Sequence, residues 1–232
     1  MSRSARMRGR GRWITAALLA GLAPACAGNP QPAASGAADQ WEDDIAAFEA
    51  ADRASMPAPG GVVFVGSSSI RLWNTLAADF PGVAVVNRGF GGSEMEDALR
   101  YADRIVTPYR PRMVVVYAGD NDLWNGKSPE RVFEDFRALV DRIHATTPQA
   151  RVAFIAIKPS VARWRMEDRI RDANARVKAY ADADPLVEYI DVFTPMLDAA
   201  GQPRPELLIE DGLHMTDAGY RIWAETVRPF LR

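Results

Sequence analysis

One stretch of the chain, Val62–Ile70, constrains the fold more than any other. Its first four residues, Val62–Val65, are β-branched or aromatic, which is typical of a strand that is buried on both faces. Gly66 and three serines follow. Beyond them, apolar residues recur every three or four positions, as in a helix that lies against a sheet: Ile70, Trp73, Leu76 and Phe80. Open α/β folds bind ligands at such strand–helix turns, so Ser68 is a candidate nucleophile at the carboxyl edge of a sheet.

The rest of the chain continues this alternation of apolar runs and amphipathic segments. Five runs are predicted as strands: Val62–Val65, Val83–Val86, Met113–Tyr117, Val152–Ile157 and Val187–Asp191. Four of the predicted helices follow a residue that can cap their first turn: Asp39, Ser93 (in the capping box Ser93-Glu94-Met95-Glu96), Ser128 and Thr216. Because strands and helices alternate, we expect an α/β protein with a three-layer α/β/α fold. Its five-stranded parallel sheet would lie in a single domain, residues 39–232.

Composition and charge narrow the classes of function. The 232 residues are 48% hydrophobic and 25% charged, and the net charge of -2 gives no basic surface for nucleic acid. One cysteine and two histidines cannot supply a zinc cluster or a disulfide framework. We therefore predict no metal, no cofactor and no nucleic-acid partner.

The first 26 residues have the composition of an export signal. Five arginines and no acidic residue precede a short apolar segment, Trp13–Leu22, which is too short to span a bilayer. Cys26 comes shortly after it, in Leu22-Ala23-Pro24-Ala25-Cys26, and this arrangement resembles a bacterial lipoprotein signal. We predict a signal peptide over residues 1–26 and a flexible linker over residues 27–38.

These features predict an exported protein of the periplasm or outer cell envelope, anchored to the membrane through a lipidated Cys26. The alternative is cleavage after Ala25 or Ala27 followed by plain secretion. Membrane fractionation of a Cys26→Ala variant separates the two, because only a lipoprotein would lose its membrane association.

Four polar clusters fall where predicted strands end or where the last helix begins. They are Gly66–Ser69, Asn87–Ser93, Gly119–Asp122 and Asp211–His214. In a parallel sheet all strands have their carboxyl ends at one edge, so these loops can converge. A serine, a histidine and an aspartate brought together in this way can perform nucleophilic acyl transfer.

The four clusters resemble the sequence blocks of the SGNH hydrolases, also called the GDSL esterase/lipase family, over residues 62–232. The Gly-Asp-Ser block of the family matches Gly66-Ser67-Ser68, with Ser67 in place of the usual aspartate. The other blocks match Asn87–Gly92, Gly119–Asp122 and Asp211–His214, in the family's order. The resemblance implies the flavodoxin-like SGNH hydrolase fold and a carboxylic ester hydrolase with a serine nucleophile.

The resemblance also implies a role for each matched residue. Ser68 is the nucleophile, and the oxyanion hole consists of the N–H groups of Ser68 and Gly92 and the side-chain amide of Asn121. His214 acts as the base, and Asp211 holds its imidazole in one tautomer. The implied reaction removes an acyl group, short-chain such as acetyl, from a carbohydrate, lipid or small-molecule ester through an acyl-enzyme.

Each motif also has an alternative interpretation. Serines cap helices, and glycine and asparagine form turns, so every matched residue has a structural alternative. Gly89-Phe90-Gly91 after a strand is typical of dinucleotide sites, but Glu94 stands where that fingerprint needs its third glycine. The α/β-hydrolase elbow needs a glycine where Ile70 stands. The open alternatives for function are a lipase or thioesterase that acts on lipid acyl groups, and an inactive carbohydrate- or nucleotide-binding module.

Two basic residues are predicted to bind the substrate. Lys158 follows the fourth predicted strand at the same sheet edge, with Arg163 and Trp164 shortly after it, and Arg88 belongs to the second polar cluster. A basic and aromatic loop at this edge could bind an anionic or sugar substrate. His144, late in a predicted helix, is expected to have a structural role only.

Overall fold

The computed structural model describes residues 40–232, whose helices are arranged around one sheet. All five strands are parallel, in the order β2-β1-β3-β4-β5. Their bounds are Val62–Gly66 (β1), Val85–Gly89 (β2), Met113–Tyr117 (β3), Arg151–Ile155 (β4) and Val187–Ile190 (β5). The predicted five-stranded parallel sheet is confirmed, although β2 begins two residues later than expected and extends to Gly89.

Within residues 40–232, eight α-helices flank this sheet and give the three-layer α/β/α arrangement that the sequence predicts. They are Glu42–Ala54 (α1), Ser68–Arg71 (α2), Leu76–Asp79 (α3), Met95–Ile105 (α4), Asp120–Trp124 (α5), Pro129–Thr146 (α6), Glu167–Ala183 (α7) and Asp217–Val227 (α8). Short 3₁₀ turns lie at Thr107–Tyr109, Trp164–Met166, Thr194–Met196, Pro205–Leu207 and Arg228–Leu231. Among the residues described, none of the helices is long and apolar enough to cross a membrane.

The central strands are continuous apolar runs because helices cover both of their faces. Every residue of β1 and of β3 is buried, whereas the edge strand β2 is partly exposed along its first three residues. Aromatic side chains fill the space between β1 and the helices: the Phe64 ring lies 5.7 Å from both Trp73 and Phe80, and Trp73 lies 5.8 Å from Trp223. This packing fixes the segment that directly follows β1.

The segment after β1 is not one continuous helix, as its periodicity suggests. It forms the short helices α2 and α3, and the side chain of Asp79 accepts hydrogen bonds from Trp73 Nε1 and Thr75 Oγ1, both at 2.7 Å. The apolar residues of the stripe are all buried nevertheless: Ile70, Trp73, Leu76 and Phe80. The pattern therefore predicts correctly which side chains are buried, but not the break between the two helices.

Two of the predicted helix caps are confirmed and one is wrong. Ser128 accepts from the Arg131 N–H at 3.2 Å, and Thr216 accepts from the Gly219 N–H at 3.4 Å. Helix α4 is capped by Glu94 rather than Ser93, in a capping box whose other member is Asp97. The Ser93 hydroxyl instead donates to the carbonyl of Phe90 at 2.9 Å, which leaves it inside the preceding turn.

The predictions for the N-terminal region lie outside the described residues. These are the signal peptide, the linker, the lipidated Cys26 and the Asp39 cap. Helix α1 begins at Glu42, directly after Trp41, and its side-chain packing includes buried Ile45. The export and anchoring of the chain therefore stay predictions.

Candidate active site

The nucleophile candidate lies at the junction of β1 and α2, beside the point where the strand order reverses. The chain passes from β1 to β2 on one side and then to β3 on the other, so the carboxyl ends of β1 and β3 form a crevice. Gly66 ends β1 with a φ of +139°, and a Cβ there would overlap the carbonyl of Tyr117 on β3. Only glycine fits, and the close approach places Ser68 at the first position of α2.

Ser68, His214 and Asp211 form one hydrogen-bonded chain. His214 Nε2 lies 2.9 Å from Ser68 Oγ, and His214 Nδ1 lies 2.5 Å from one carboxylate oxygen of Asp211. The other carboxylate oxygen accepts the backbone N–H groups of Leu213 at 2.8 Å and His214 at 2.9 Å. The turn that places the aspartate three residues before the histidine therefore also fixes the direction of the imidazole.

The Asp211 carboxylate is held in its charged form. Partial burial alone would raise its pKa, but hydrogen bonds from the His214 ring and from the Leu213 and His214 backbone outweigh burial and lower the pKa to about 2. The side chain is 42% exposed, so water screens its interactions in part. At neutral pH the imidazole thus faces a full negative charge on one side and a serine hydroxyl on the other.

Three hydrogen-bond donors that the sequence predicts as an oxyanion hole surround the same cavity. The Ser68 N–H is in the first turn of α2, where N–H groups have no acceptor within the helix. Gly92 has a φ of +80°, and nothing among residues 40–232 accepts from its N–H. Asn121 donates one N–H of its amide to the Ser93 carbonyl at 2.9 Å, which leaves its second N–H available.

The cavity itself has a volume of about 330 Å³. It brings together segments that follow four strands (β1, β2, β3 and β4), the segment before α8, and Asp44 of α1. Ser68, Gly92, Asn121 and His214 all line it, so four of the five residues predicted for catalysis and the oxyanion hole meet there directly. The fifth, Asp211, lies behind His214. The other residues that line the cavity are Asp44, Arg71, Gly91, Arg163 and Leu213.

Asn87 connects strand β2 to helix α2 through hydrogen bonds. Its amide donates to the carbonyl of Ile70 on α2 at 2.8 Å, and its side-chain oxygen accepts the N–H of Gly89 at 2.9 Å. Gly89 packs directly on α2, where a Cβ would overlap the backbone of Arg71. This contact explains why the second block of the motif begins with an asparagine on β2 rather than in the loop.

Asp122 joins the third loop to the start of α4. Its fully buried carboxylate accepts the N–H of Met95 at 3.1 Å, and Lys127 Nζ is 3.6 Å away. Burial raises the pKa of Asp122 to about 7, against the opposing effects of the Met95 N–H and the Lys127 charge. Since α4 follows Gly92 and Asp122 follows Asn121, this bond relates two of the oxyanion donors to each other.

Neither of the two predicted substrate-binding residues lines the cavity. Lys158 is 2% exposed, and burial lowers its pKa to about 8, so its ammonium lies beneath the loops rather than in the cavity. Arg88 is 8% exposed and donates to Asp52 of α1 at 2.6 Å and to the Tyr109 hydroxyl at 2.7 Å. Both side chains point into packed protein. A position in a loop or at a strand end does not by itself determine the direction of a long side chain, so the sequence could not predict this.

His144 lies away from the cavity, as expected. It is in the last turn of α6, and its Nε2 is 3.0 Å from the carbonyl of Ala150.

Arg163, in contrast, lines the cavity although the sequence assigns it no specific role. The sequence indicates only a basic loop there, whereas the structure places its guanidinium in the cavity wall, 2.9 Å from the side-chain oxygen of Asn121. No periodicity or spacing in the sequence relates these two residues, which are 42 positions apart.

The arrangement can activate a hydroxyl and stabilise a negative charge. A serine next to an imidazole whose far side meets a carboxylate can lose its proton as it attacks a carbonyl carbon. The three donors then face the oxygen on which negative charge develops. Among residues 40–232, no group of three histidine, cysteine, aspartate or glutamate side chains is placed to hold a metal ion.

Comparison with known proteins places this geometry in a family. The chain is 28% identical over 170 residues to platelet-activating factor acetylhydrolase IB subunit alpha1 of Bos taurus, which covers 68% of this chain and 69% of the relative. It is 26% identical over 207 residues to the GDSL esterase/lipase WDL1 of Oryza sativa subsp. japonica, covering 76% and 80% of the two chains.

Solved structures show the same fold. A GDSL-like lipase from Bacteroides thetaiotaomicron superposes with a TM-score of 0.70 at 22% identity, over 81% of this chain and 97% of the other. An acetylxylan esterase from Geobacillus stearothermophilus superposes with a TM-score of 0.56 at 16% identity, over 76% and 96%. The sequence profile of the GDSL-like lipase/acylhydrolase family matches residues 60–222. This chain therefore belongs to the GDSL-like lipase/acylhydrolase family, and the resemblance to SGNH hydrolases that its four sequence blocks predict is confirmed.

Proposed function

We propose that the protein is a serine ester hydrolase in which Ser68, His214 and Asp211 form the catalytic triad. The observation that carries the proposal is the continuous hydrogen-bonded chain from Ser68 Oγ through His214 to Asp211, at 2.9 and 2.5 Å, beside three free or partly free donors. A serine that only capped a helix would not need a histidine and an aspartate in line with its hydroxyl. Membership of an acylhydrolase family supports the same reaction class.

The reaction follows from the positions of these groups. Ser68 Oγ attacks the ester carbonyl carbon while its proton passes to Nε2 of His214, and the carbonyl oxygen becomes an oxyanion facing the N–H groups of Ser68 and Gly92 and the amide of Asn121. The imidazolium then protonates the alcohol oxygen as the ester C–O bond breaks. Water, deprotonated by His214, attacks the acyl-enzyme, releases the carboxylic acid and restores the serine.

The acyl group is short, such as acetyl. The cavity around Ser68 is small and has Asp44, Arg71 and Arg163 in its wall, so a long alkyl chain would remove charged groups from water without replacing their hydrogen bonds. The relative from Bos taurus, which is named for the removal of an acetyl group, supports the same choice. The alcohol part is a carbohydrate, lipid or small molecule.

Among these alcohols, one observation favours a lipid. A neighbouring cavity of about 220 Å³ also borders His214. Its wall includes the apolar side chains of Leu72, Ile209 and Met215 and the polar side chains of Asn74, Thr75 and Asp217. Ile209 is 47% exposed, so its side chain is accessible to an apolar group bound in this cavity. An apolar alcohol part would fit this cavity, since the alcohol leaves next to His214.

The proposal is tested with p-nitrophenyl esters of increasing chain length and a serine-directed phosphonate. We expect kcat/KM to be highest for acetate and to fall with each added pair of carbons. The phosphonate should label Ser68, and Ser68→Ala should lower kcat at least 10³-fold with folding unchanged. Ser67→Ala is the matched control, because the neighbouring hydroxyl is buried and forms no hydrogen bond within residues 40–232.

Two outcomes contradict the proposal in different ways. Labelling at Ser67 or Ser69 would place the nucleophile elsewhere in the serine run. A higher kcat/KM for octanoate than for acetate would exclude the short acyl group and leave the lipid acyl hydrolase.

A further inference from the structure

The Arg163 guanidinium is built into the wall of the active-site cavity by contacts on several sides. One terminal nitrogen lies 2.9 Å from Asn121 Oδ1, and the other is 3.1 Å from a carboxylate oxygen of Asp120. The guanidinium also lies over the ring of Trp124, with its carbon 5.3 Å from the ring centroid. The residue is only 9% exposed, so its position is fixed by packing as well as by hydrogen bonds.

The contact with Asn121 decides which way the amide points. An asparagine amide can turn by 180° about its last bond with little change in shape, and only the turn that directs nitrogen towards the cavity stabilises an oxyanion. Here the Ser93 carbonyl accepts from the amide nitrogen while Arg163 donates to the amide oxygen. The turned amide would set two carbonyl oxygens against each other and two donors against each other, so both partners select the same orientation.

Arg163 also brings charge to the oxyanion hole. It belongs to a buried cluster with Asp120 and Lys158, which are 6% and 2% exposed. The guanidinium itself is always charged, and it lies beside the Asn121 amide. A hydrogen bond from a cation to the amide oxygen polarises the amide and makes its N–H groups stronger donors.

We propose that Arg163 is a positioning residue for the reaction: it fixes the side-chain amide of Asn121 with its N–H towards the oxyanion and strengthens that donor. The inference rests on the proposed function, because it needs Asn121 to act as an oxyanion donor. Arg163 acts through Asn121, so its contribution is expressed in the transition state rather than in substrate binding.

The test compares Arg163→Ala, Arg163→Lys and Arg165→Ala with p-nitrophenyl acetate as substrate. We expect Arg163→Ala to lower kcat about 10- to 100-fold while KM changes less than about twofold. Lysine keeps the charge but cannot reach both Asn121 and Asp120 with a flat fork, so it should recover only part of the loss. Arg165 is the matched control: it stacks on the same Trp124 ring at 4.4 Å but is exposed and does not contact Asn121.

Two further measurements separate positioning from a general loss of structure. Millimolar methylguanidinium should raise kcat of Arg163→Ala severalfold, whereas ethylammonium should not, since only the planar cation can donate to Asn121 while a second nitrogen faces the Asp120 carboxylate. In the Asn121→Ala background, Arg163→Ala should reduce kcat by less than about twofold, because the residue through which it acts is already missing. If Arg163→Ala fails to fold with Asp120 left unpaired, the double change Arg163→Ala with Asp120→Asn removes the buried charge and takes its place.

The outcomes that overturn this role differ from those that overturn the proposed function. Additive losses in Arg163→Ala and Asn121→Ala, a rise in KM with unchanged kcat, or an equal loss in Arg165→Ala would each show that Arg163 does not act by positioning Asn121. A wild-type protein whose Ser68 is not labelled by the phosphonate would instead overturn the proposed function. The inference stands only if labelling, rescue and non-additivity are all observed.

Discussion

Asp211 uses its two carboxylate oxygens for different purposes. One meets the His214 ring at 2.5 Å, and the other accepts two backbone N–H groups of the same short turn. The backbone bonds hold the carboxylate in place without competition for the oxygen that faces the imidazole. They also help to lower the pKa of Asp211 to about 2, so the carboxylate stays charged well into the acid range. The Asp211 carboxylate therefore keeps its charge between neutral pH and about pH 3.

This assignment predicts the shape of the pH–rate profile. A hydrolase that depends on one general base loses log kcat/KM with a slope of one on the acid side, and we expect that slope here. A slope of two requires a second protonation, and the pKa of Asp211 near 2 places that event below about pH 3. Steady-state hydrolysis of p-nitrophenyl acetate from about pH 8 to pH 3 measures the slope. A slope of two between about pH 5 and pH 3 would show that the Asp211 carboxylate is held far less firmly than its hydrogen bonds indicate.

At the scale of single residues, the sequence predicts location better than direction. The short polar blocks place Ser68, Gly92 and Asn121 at strand ends, and the structure brings them around one cavity. Lys158 and Arg88 occupy equally suggestive positions, yet their side chains run into the interior. Loops lack the periodicity that reveals which face of a helix or strand is buried, so the direction of a loop side chain depends on contacts with residues far away in sequence.

Helix α2 is positioned by its neighbours rather than by its own four residues. Such a short helix is not stable alone. Asn87 bonds to the Ile70 carbonyl, the Tyr220 hydroxyl donates to the Ser69 carbonyl at 2.9 Å, and Gly89 packs on its backbone. The elements β2 and α8 thus hold the helix that carries Ser68 from two sides.

The contact between β2 and α2 gives a prediction for Gly89→Ala. The added methyl group would overlap the backbone of Ile70 and Arg71, so α2 must shift. We expect a loss of about 1–3 kcal/mol in the free energy of unfolding, and a fall in kcat per folded molecule of about 10-fold or more because Ser68 moves away from His214. Urea denaturation and active-site titration measure the two effects.

Gly82→Ala, in the turn before β2, is the control variant for Gly89→Ala. Gly82 has a φ of +82° but no atom within 4 Å of the Cβ position, so only backbone strain of about 1 kcal/mol is expected, with unchanged kcat. If both variants lose stability but neither loses activity, the contact between β2 and α2 supports the fold and does not place the nucleophile.

The sequence predicts the strands better than it predicts where helices begin and break, and the reason is physical. The strands are buried on both faces, so each is a continuous apolar run that the sequence shows directly. The break between α2 and α3 and the cap of α4 by Glu94 depend on hydrogen bonds with side chains three to six residues away. Apolar periodicity continues through such a break, because the buried side chains follow one stripe whether or not the backbone is helical.

Across the whole molecule, burial of charge beneath the active site opposes stability. The cluster of Asp120, Lys158 and Arg163 contains one ion pair, at 3.1 Å between Arg163 and Asp120, and leaves Lys158 with no carboxylate at ion-pair distance within residues 40–232. Burial lowers the pKa of Lys158 to about 8, against the attraction of Asp120 and with a further contribution from repulsion by Arg163. Proteins retain such unfavourable groups where function requires them.

The pKa of Lys158 predicts how global stability depends on pH. Its value in the folded protein, about 8, is below the usual 10.5, so between these values the unfolded chain binds more protons and stability rises with pH. At pH 7 both states are protonated, and the buried charge costs on the order of 3 kcal/mol. Lys158→Met keeps the apolar stem and removes the charge. It should raise the free energy of unfolding by about 1–3 kcal/mol at pH 7, and the gain should shrink towards pH 10.5.

Urea denaturation of the wild type and of Lys158→Met at about pH 7, pH 9 and pH 10.5 tests this prediction, because the difference between the two proteins isolates one group from all others that titrate. The Asp120 carboxylate keeps its partner Arg163 in the variant, so no new unpaired charge arises. A variant that is less stable than the wild type by the same amount at every pH would mean that the ammonium is well solvated or well paired in the fold. In that case Lys158 would support the loops of the active site rather than oppose the stability of the domain.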